Sequence, residues 1–371
     1  MHHAPDGGFR NPWPDSEPRG WSDVLRWTLE RRRQERVPTP PRNSFPSATP
    51  VVVHPRASKT DFTATWIGHA TILLQMGGLN VLTDPVFSQR AFPVQWTGPR
   101  RVMDAALPLD ALPPLDVVLL SHNHYDHLDK PAVKWLARAH PNATWIVPLA
   151  LGAYVRGWGV KEIVELDWWQ QVEVRGLRVT GTPARHFSAR RLGDRNKTLW
   201  CGYALEIAGA RAYFAGDTAY HPEFRDIGAR CGPFDFVMIP IGAYDPRWFM
   251  HVVHADPEEA VQAYVDITAS DAEARALMLA IHWGTFRLTD EAMDEPPRRA
   301  AASWRAQGLD ESRLWIAKFG ETRRFAGSGV RGAGCDLCDL DRAIGRASPN
   351  RLAADAADLG GSTGSLRRRG V

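Results

Sequence analysis

Between Ser121 and Asp129 the chain reads Ser-His-Asn-His-Tyr-Asp-His-Leu-Asp. His122, His124, Asp126 and His127 therefore fall within six residues. Neutral imidazoles with one or two carboxylates are the donors taken by Zn²⁺ and related divalent ions. Alternate spacing puts His122 and His124 on one side of the chain, and Asp126 and His127 can turn toward a second point about one ion spacing away. The competing reading is a loop of unrelated polar surface residues. The apolar run Val117-Val118-Leu119-Leu120 weighs against it, because a strand buried on both faces carries the cluster to a rigid sheet edge. Four donors are too few for two ions. Three single residues, each after an apolar run, can complete the set: His186 in Thr-Pro-Ala-Arg-His, Asp217 in Phe-Ala-Gly-Asp and His282 in Ile-His-Trp-Gly.

Holding these residues in one place requires strands, and the sequence offers them. Phe62 to Gln75 is strand-like with a break at Gly68. Val81-Leu82-Thr83 follows the turn Gly77-Gly78-Leu79-Asn80, which predicts an antiparallel hairpin. Further strands are predicted at Thr144 to Val147, Val172 to Thr180, Leu199 to Ile207, Arg211 to Ala215, Phe236 to Ile239 and Ala276 to Ile281. Asp129 is the expected N-cap of a helix with Pro131 in its first turn and Val133, Leu136 and Ala137 facing inward. Asp256 and Glu259 have capping-box spacing at the start of another helix. Strands with intervening helices, and no GxGxxG or P-loop, indicate a layered α/β fold without a nucleotide site.

Three stretches divide the chain. Residues 1–50 read as an arm broken by prolines and packed on the body. Its one predicted helix, Ser22 to Glu35, has Ser22 as N-cap, an apolar stripe of Val24, Leu25, Thr28 and Leu29, and a basic end at Arg31-Arg32-Arg33 and Arg36. A membrane-surface or anionic-ligand contact is the sharper reading of that helix. Residues 51–327 carry the motifs. Residues 328–371 read as a mobile tail, in which the isolated pair Cys335 and Cys338 cannot fill a tetrahedral zinc site.

Composition bounds the function. With 44% hydrophobic and 23% charged residues in 371, the chain has the make-up of a soluble globular protein. Its 31 Gly and 28 Pro argue against an all-helical bundle. The net charge of +3, carried almost entirely by Arg, is too small to indicate a nucleic-acid partner, and the sequence has no concentrated basic run suited to one. Four Cys exclude a disulfide-rich secreted scaffold. The first residues lack the basic-then-apolar order of a secretory signal. The apolar stretch Ala143 to Val155 is short for a bilayer and is interrupted by Pro148 and Gly152. The expected setting is the cytoplasm. Fifteen Trp point to a large core, to exposed apolar surface, or to both.

The order HxHxDH, then single His, Asp and His, resembles the metallo-β-lactamase-fold hydrolases. Trp66-Ile-Gly-His-Ala-Thr71 and Thr83-Asp-Pro85 narrow the likeness to a branch with sugar-phosphate lactonases and phospholipase D-type enzymes. Leu119 to Asp129, Ile239-Pro-Ile-Gly-Ala-Tyr-Asp-Pro-Arg-Trp-Phe-Met250, His254-Ala-Asp-Pro-Glu-Glu-Ala260, Ile281-His-Trp-Gly-Thr-Phe286 and Glu295-Pro-Pro297 are similar to the N-acylphosphatidylethanolamine-hydrolysing phospholipase D family. Asn11-Pro-Trp-Pro14 and Glu165-Leu-Asp-Trp-Trp169 extend the likeness, which spans roughly residues 9 to 325 and omits the tail.

The resemblance implies a four-layer αββα sandwich with two Zn²⁺ at one edge. His122, His124 and His186 would hold one ion and Asp126, His127 and His282 the other, with Asp217 bridging. His254 would face the substrate phosphate. Two Zn²⁺ against Asp126, Asp217 and a bridging hydroxide leave a net charge of about +1, which attracts a phosphodiester. On this reading the hydroxide attacks phosphorus, with His254 orienting the phosphate or assisting the leaving alkoxide. The substrate would be an N-acylphosphatidylethanolamine-like phospholipid at a membrane surface, with the protein peripheral on that membrane. The products would be phosphatidic acid and an N-acylethanolamine. A soluble lactonase or phosphodiesterase for a small sugar phosphate would use the same metals in a polar pocket. A homodimer is compatible with either. Asp84 reads as a loop-fixing carboxylate rather than a ligand, His69 as a residue orienting a ligand carboxylate or packed in the hairpin, and Arg247 as a phosphate contact or a partner of Asp245 or Asp256.

Overall fold

The computed structural model, which describes residues 2–5, 7–33, 37–271 and 275–325, turns nearly every apolar run into a strand. The expected tail and its cysteine pair lie outside the described residues. Six strands come first: β1 Phe62–Gly68, β2 Thr71–Met76, β3 Leu79–Thr83, β4 Val117–Leu119, β5 Thr144–Pro148 and β6 Ile163–Leu166. The next seven are β7 Gln171–Val174, β8 Leu177–Thr182, β9 Gly202–Ile207, β10 Ala210–Phe214, β11 Phe236–Pro240, β12 Leu277–Ile281 and β13 Leu314–Trp315. The last, β14 Thr322–Phe325, returns to pair with β1. Two seven-stranded mixed sheets result, ordered β14-β1-β2-β3-β4-β5-β6 and β13-β12-β11-β10-β9-β8-β7.

The β2–β3 hairpin closes through Gly77 and Gly78, both at positive φ (60° and 80°), as a two-residue turn of this hand requires. Gly77 has a second reason to be glycine: a Cβ there would lie 2.5 Å from the Ile207 side chain at the end of β9. The two sheets meet through rings. Phe62 and Phe325 of the first sheet lie 6.0 and 4.9 Å from Phe236 of the second, centroid to centroid.

Helices cover both outer faces. In chain order they are α1 Trp21–Arg33, α2 Lys130–Ala139, α3 Gly152–Arg156, α4 Phe224–Cys231, α5 Arg247–Met250, α6 Pro257–Thr268 and α7 Glu295–Ala306. α2 buries Val133 and Leu136 against Leu82, Val118 and Trp145 of the first sheet. α6 packs on β11 and against both α4 and α7. The layers are thus helix, sheet, sheet, helix, as expected. Trp66, Trp145, Trp200, Trp304 and Trp315 are fully buried and Trp168 and Trp283 nearly so, which places about half of the fifteen tryptophans in the core; removing one such ring costs about 3–5 kcal/mol. Trp21 and Trp96 stand at the other extreme, 79% and 80% exposed, and the rest are partly buried. Among the described residues no helix is long and apolar enough to cross a membrane.

Three local expectations change. Val172 to Thr180 is two strands, because Arg175 (φ 53°) and Gly176 (φ 82°) fold it into a hairpin. The Asp129 carboxylate does not cap α2; it takes the Phe87 and Ser88 backbone N–H groups and the Ser88 hydroxyl. The apolar stripe expected on α1 is turned outward, with Leu25, Thr28 and Leu29 exposed. Trp27 anchors that helix instead. Its ring lies 4.9 Å from Phe249 and its indole N–H donates to Asp290, which also pairs with Arg31. The capping box at α6 is present as expected, with Asp256 and Glu259 bonded reciprocally.

Candidate metal centre

Six strands end near one point, and each is followed by a residue of the site. His69 follows β1, Asp84 follows β3, the His122–His127 loop follows β4, His186 follows β8, Asp217 follows β10 and His282 follows β12. Side chains gather at the carboxyl ends of such strands because the sheet holds the chain rigid up to the turn. Three of these residues keep a positive φ that L-residues seldom adopt: His69 at 56°, Asp84 at 29° and His282 at 64°.

The seven residues selected from sequence come together. His124 Nδ1 lies 2.9 Å from His122 Nε2 and 3.2 Å from His186 Nε2. On the other side, His282 Nε2 and His127 Nε2 are 3.4 and 3.5 Å from Asp126 Oδ2. Asp217 stands between the groups. Its Oδ2 is 3.0 Å from His127 and 3.8 Å from both His122 and His186, while Oδ1 is 3.2 Å from His282. His122, His127, His186, Asp217 and His282 are buried; His124 and Asp126 are partly exposed and form the open side.

Hydrogen bonds behind the rings decide which nitrogens face the centre with a lone pair. The His186 Nδ1–H donates to the Val253 carbonyl. The Ser121 hydroxyl gives its proton to Asp84, so it accepts from His122 Nδ1–H. Both Nε2 atoms then carry lone pairs aimed at His124 Nδ1, which has one proton at most to offer. His127 Nδ1–H donates to Asp84 Oδ2 at 2.6 Å, so a neutral ring would turn a bare Nε2 toward the carboxylates of Asp217 and Asp126. His127 Nε2, His282 Nε2 and Asp217 Oδ1 are buried without a hydrogen-bond partner. Converging lone pairs and carboxylates need positive charge among them, and divalent metal ions fit this donor set. The 2.9 and 3.2 Å separations also approach the edge of roughly 3.3 Å that bonds of about 2.0–2.1 Å impose on a tetrahedron.

The protein prepares the donors for this. Burial, then the neighbouring rings, lower His122 well below the usual histidine range and His124 to about 3; burial also lowers His186, so all three are neutral. Burial opposes ionisation of Asp126 and Asp217, but the surrounding imidazoles overcome it and hold both well below the usual carboxylate range. The same carboxylates, again against burial, raise His127 well above its range and His282 to about 9. Metal would take the place of those protons.

Two residues outside the ligand set belong to the centre. His69 Nε2 is 3.1 Å from Asp126 Oδ2, and its ring lies 4.0 Å from that of His282. Its position just after a buried strand was the signal it shares with the selected residues. Asp84, fully buried, accepts from Ser121 N, the Ser121 hydroxyl and His127 Nδ1, and so steers histidines of both groups. Replacing Asp84 with Asn is expected to weaken metal affinity about 10–100-fold while the fold persists. Competition titration against a chelator measures this, and unchanged affinity would show that Asp84 does not orient ligands.

His254 sits over the centre, its ring 5.0 Å from His186 and 5.4 Å from His282, with Nδ1 unpartnered and buried. Beside it, Met250, Val252 and Val253 pack with Phe187, Phe249 and Trp27 into an apolar wall. Arg247 is not free for a phosphate: it pairs with Asp256 and Glu259, not Asp245, and donates to the His254 carbonyl. His2 and His3 both reach Asp167, and His221 is buried between Trp13 and Phe224. The arm touches the centre directly, since the buried Asn11 amide donates to the His186 carbonyl at 2.8 Å.

Comparison with known proteins identifies the family. Residues 79–283 match the beta-lactamase superfamily domain. An uncharacterised protein of Mycobacterium tuberculosis is 43% identical over 303 residues, covering 80% of this chain and 78% of its own. The N-acyl-phosphatidylethanolamine-hydrolyzing phospholipase D 1 of Caenorhabditis elegans is 36% identical over 291 residues, covering 75% and 80%. A metallo hydrolase from the archaeon Ignicoccus hospitalis shares the fold at a TM-score of 0.53 and 19% identity, over 72% of this chain and 99% of its own.

Proposed function

From the premise that this chain belongs to the beta-lactamase superfamily of metal-dependent hydrolases, we propose that it is a di-zinc phosphodiesterase of phospholipase D type. Its substrates are N-acylphosphatidylethanolamine-like lipids at a membrane surface, and its products are phosphatidic acid and an N-acylethanolamine. The observation that carries this reading is the placing of Asp217 between two groups of imidazoles, beneath a buried histidine and beside an apolar wall. The named worm relative supports the substrate class.

His122, His124 and His186 would hold one ion and Asp126, His127 and His282 the other, with Asp217 common to both. Such a pair supplies Lewis-acid charge and makes water a usable nucleophile near neutral pH. The protein's own part is to orient and exclude. Met250, Val252 and Val253, buried, keep water from one side of the site, and the partly exposed Phe187 and Phe249 packed on them offer acyl chains an apolar surface. Burial holds His254 well below the usual histidine range, so its ring is neutral. It therefore orients a phosphate oxygen by donating one N–H hydrogen bond, and it is not a proton-charged acid at neutral pH.

His254→Ala is expected to keep its full metal content and lose about a hundredfold in kcat, with His254→Gln recovering part of it as a donor. An unchanged rate would remove His254 from the phosphate. The reading as a whole is tested by metal analysis of the purified protein with assays on N-acylphosphatidylethanolamine vesicles and on a soluble lactone. Turnover of the lactone with intact vesicles would assign the site to small soluble esters instead.

A further inference from the structure

The loop that carries His124 and Asp126 also lines a groove of about 620 Å³, through Tyr125, Leu128 and Asp129. Six cations surround the groove: Arg90, Lys130, Lys134, Arg138, Arg190 and Arg191. No run in the sequence gathers these six cations; the fold assembles them from three separated stretches. Lys130, Lys134 and Arg138 follow one another at four-residue steps on α2 and so share a face.

Several arginines elsewhere are paired with carboxylates, as Arg56 and Arg175 share Asp116, Arg178 and Arg211 share Glu206, and Arg299 meets Glu258, whereas others, such as Arg101 and Arg195, are held by carbonyls. Among the described residues, none of the six groove cations has a carboxylate within salt-bridge distance. Asp129, the one carboxylate in the lining, already accepts from Phe87, Ser88 and the Ser88 hydroxyl.

The six divide by role. Arg190 is floor, bonded to the Asn123 and Leu128 carbonyls and stacked over Tyr125 at 4.0 Å. Arg90 is pinned to the Gln95 and Gly98 carbonyls. Lys130 and Arg191 are exposed but lie over the Trp158 and Tyr154 rings, at 5.8 and 5.0 Å, with Asp194 accepting from the Arg191 backbone N–H, which leaves exposed Lys134 and Arg138 available. Like charges gathered around one concavity repel unless an anion joins them. Beside the lining residues in sequence stand Trp96, 80% exposed, and Leu192, 96% exposed, with Phe92 half-exposed on the same loop as Trp96. Cations with an exposed tryptophan and leucine on the loops that line the groove suit the headgroup region of a bilayer better than a soluble anion or a nucleic acid.

We propose that this groove binds the phosphate-bearing headgroup of an anionic phospholipid and docks the protein on charged membranes. The inference deepens the lipid reading above and rests on it for the relevance of a bilayer. It concerns binding rather than turnover, so the two can fail separately.

The test is co-sedimentation of the full chain with phosphatidylcholine vesicles with and without phosphatidylglycerol, which the proposed reaction does not consume. Binding is expected with phosphatidylglycerol only and weakens as salt rises. The double variant Lys134→Ala/Arg138→Ala should bind those vesicles about thirtyfold more weakly, at roughly 1 kcal/mol for each charge. Lys134→Arg/Arg138→Lys should restore binding, and N-acylphosphatidylethanolamine in neutral micelles should be turned over equally by all three proteins. Equal binding to both vesicle types, or an alanine variant that binds like the parent, overturns the proposal. Capture of inorganic phosphate or of an oligonucleotide in place of vesicles overturns it too. A protein that docks as expected but spares the lipid leaves the groove standing and removes the phospholipase reading.

Discussion

Asp217→Ala is expected to fold, to hold less than two metal equivalents and to turn over the parent's substrate at least about a thousandfold more slowly, a loss of roughly 4 kcal/mol in transition-state stabilisation. Asp217 is 4% exposed and its two oxygens face four of the imidazoles. Asp126 contacts only His69, His127 and His282 among them, and Asp84 stands behind the rings, bonded to His127 Nδ1 and, through the Ser121 hydroxyl, to His122 Nδ1. Removing it leaves converging nitrogens with no common anion, so metal loss should exceed that of any single histidine change. Asp217→Asn isolates the charge from the shape: it keeps the volume and should be nearly as impaired. Mass-spectrometric metal counts beside kcat/KM settle the matter, and a variant retaining both ions and its rate would exclude the bridging role.

The second large effect is expected where no ligand is changed. Gly216→Ala should lower kcat/KM about a hundredfold and the melting temperature by several degrees. Gly216 has a φ of 62°, and a Cβ there would stand 2.6 Å from Ser121 Cβ and 3.1 Å from the Cys201 carbonyl. The left-handed conformation alone costs an L-residue about 1–2 kcal/mol. Neither neighbour can yield. Ser121 is held by Asp84, and the Ser121 carbonyl accepts from Cys201 N. The displaced party is therefore Asp217, the next residue, and misplacement by about 1 Å suffices for a hundredfold loss. Gly209 supplies the control: its φ is 80° but nothing lies within 4 Å of a Cβ there. Gly209→Ala should lose stability and keep activity; equal activity in the two variants would disconnect Gly216 from the site.

What could be read from the sequence, and what could not, follows the range of the interactions. The candidate ligands were legible because each follows a run of residues whose own chemistry forces a buried strand, as Val117 to Leu120 does before His122. The capping box at Asp256 was legible because both partners lie within one turn. The face of α1 was not, because Trp27 finds Phe249 and Asp290 more than two hundred residues away, and that contact outweighs the local stripe of Leu25 and Leu29. Asp129 was drawn from its expected cap by three donors at residues 87 and 88. β14, Thr-Arg-Arg-Phe, has almost no apolar content to mark it, and becomes a strand because β1 presents a free edge. The cationic groove was invisible for the same reason: its residues are adjacent only after the 90s loop, α2 and the 190s loop are folded together.

The Asn11 contact bears on how the molecule can be divided. The candidate ligands all lie well after residue 50, which invites cutting the chain there to obtain a smaller protein. Such a cut would remove the only amide bonded to the His186 carbonyl among the described residues. It would also strip Trp13 from His221 and Trp27 from the apolar wall. The trimmed protein would keep every ligand in its sequence and yet hold one of them by a slackened main chain. Anyone engineering this scaffold should therefore treat the first fifty residues as part of the active site's outer casing, and count substitutions at Asn11 among those that tune metal binding.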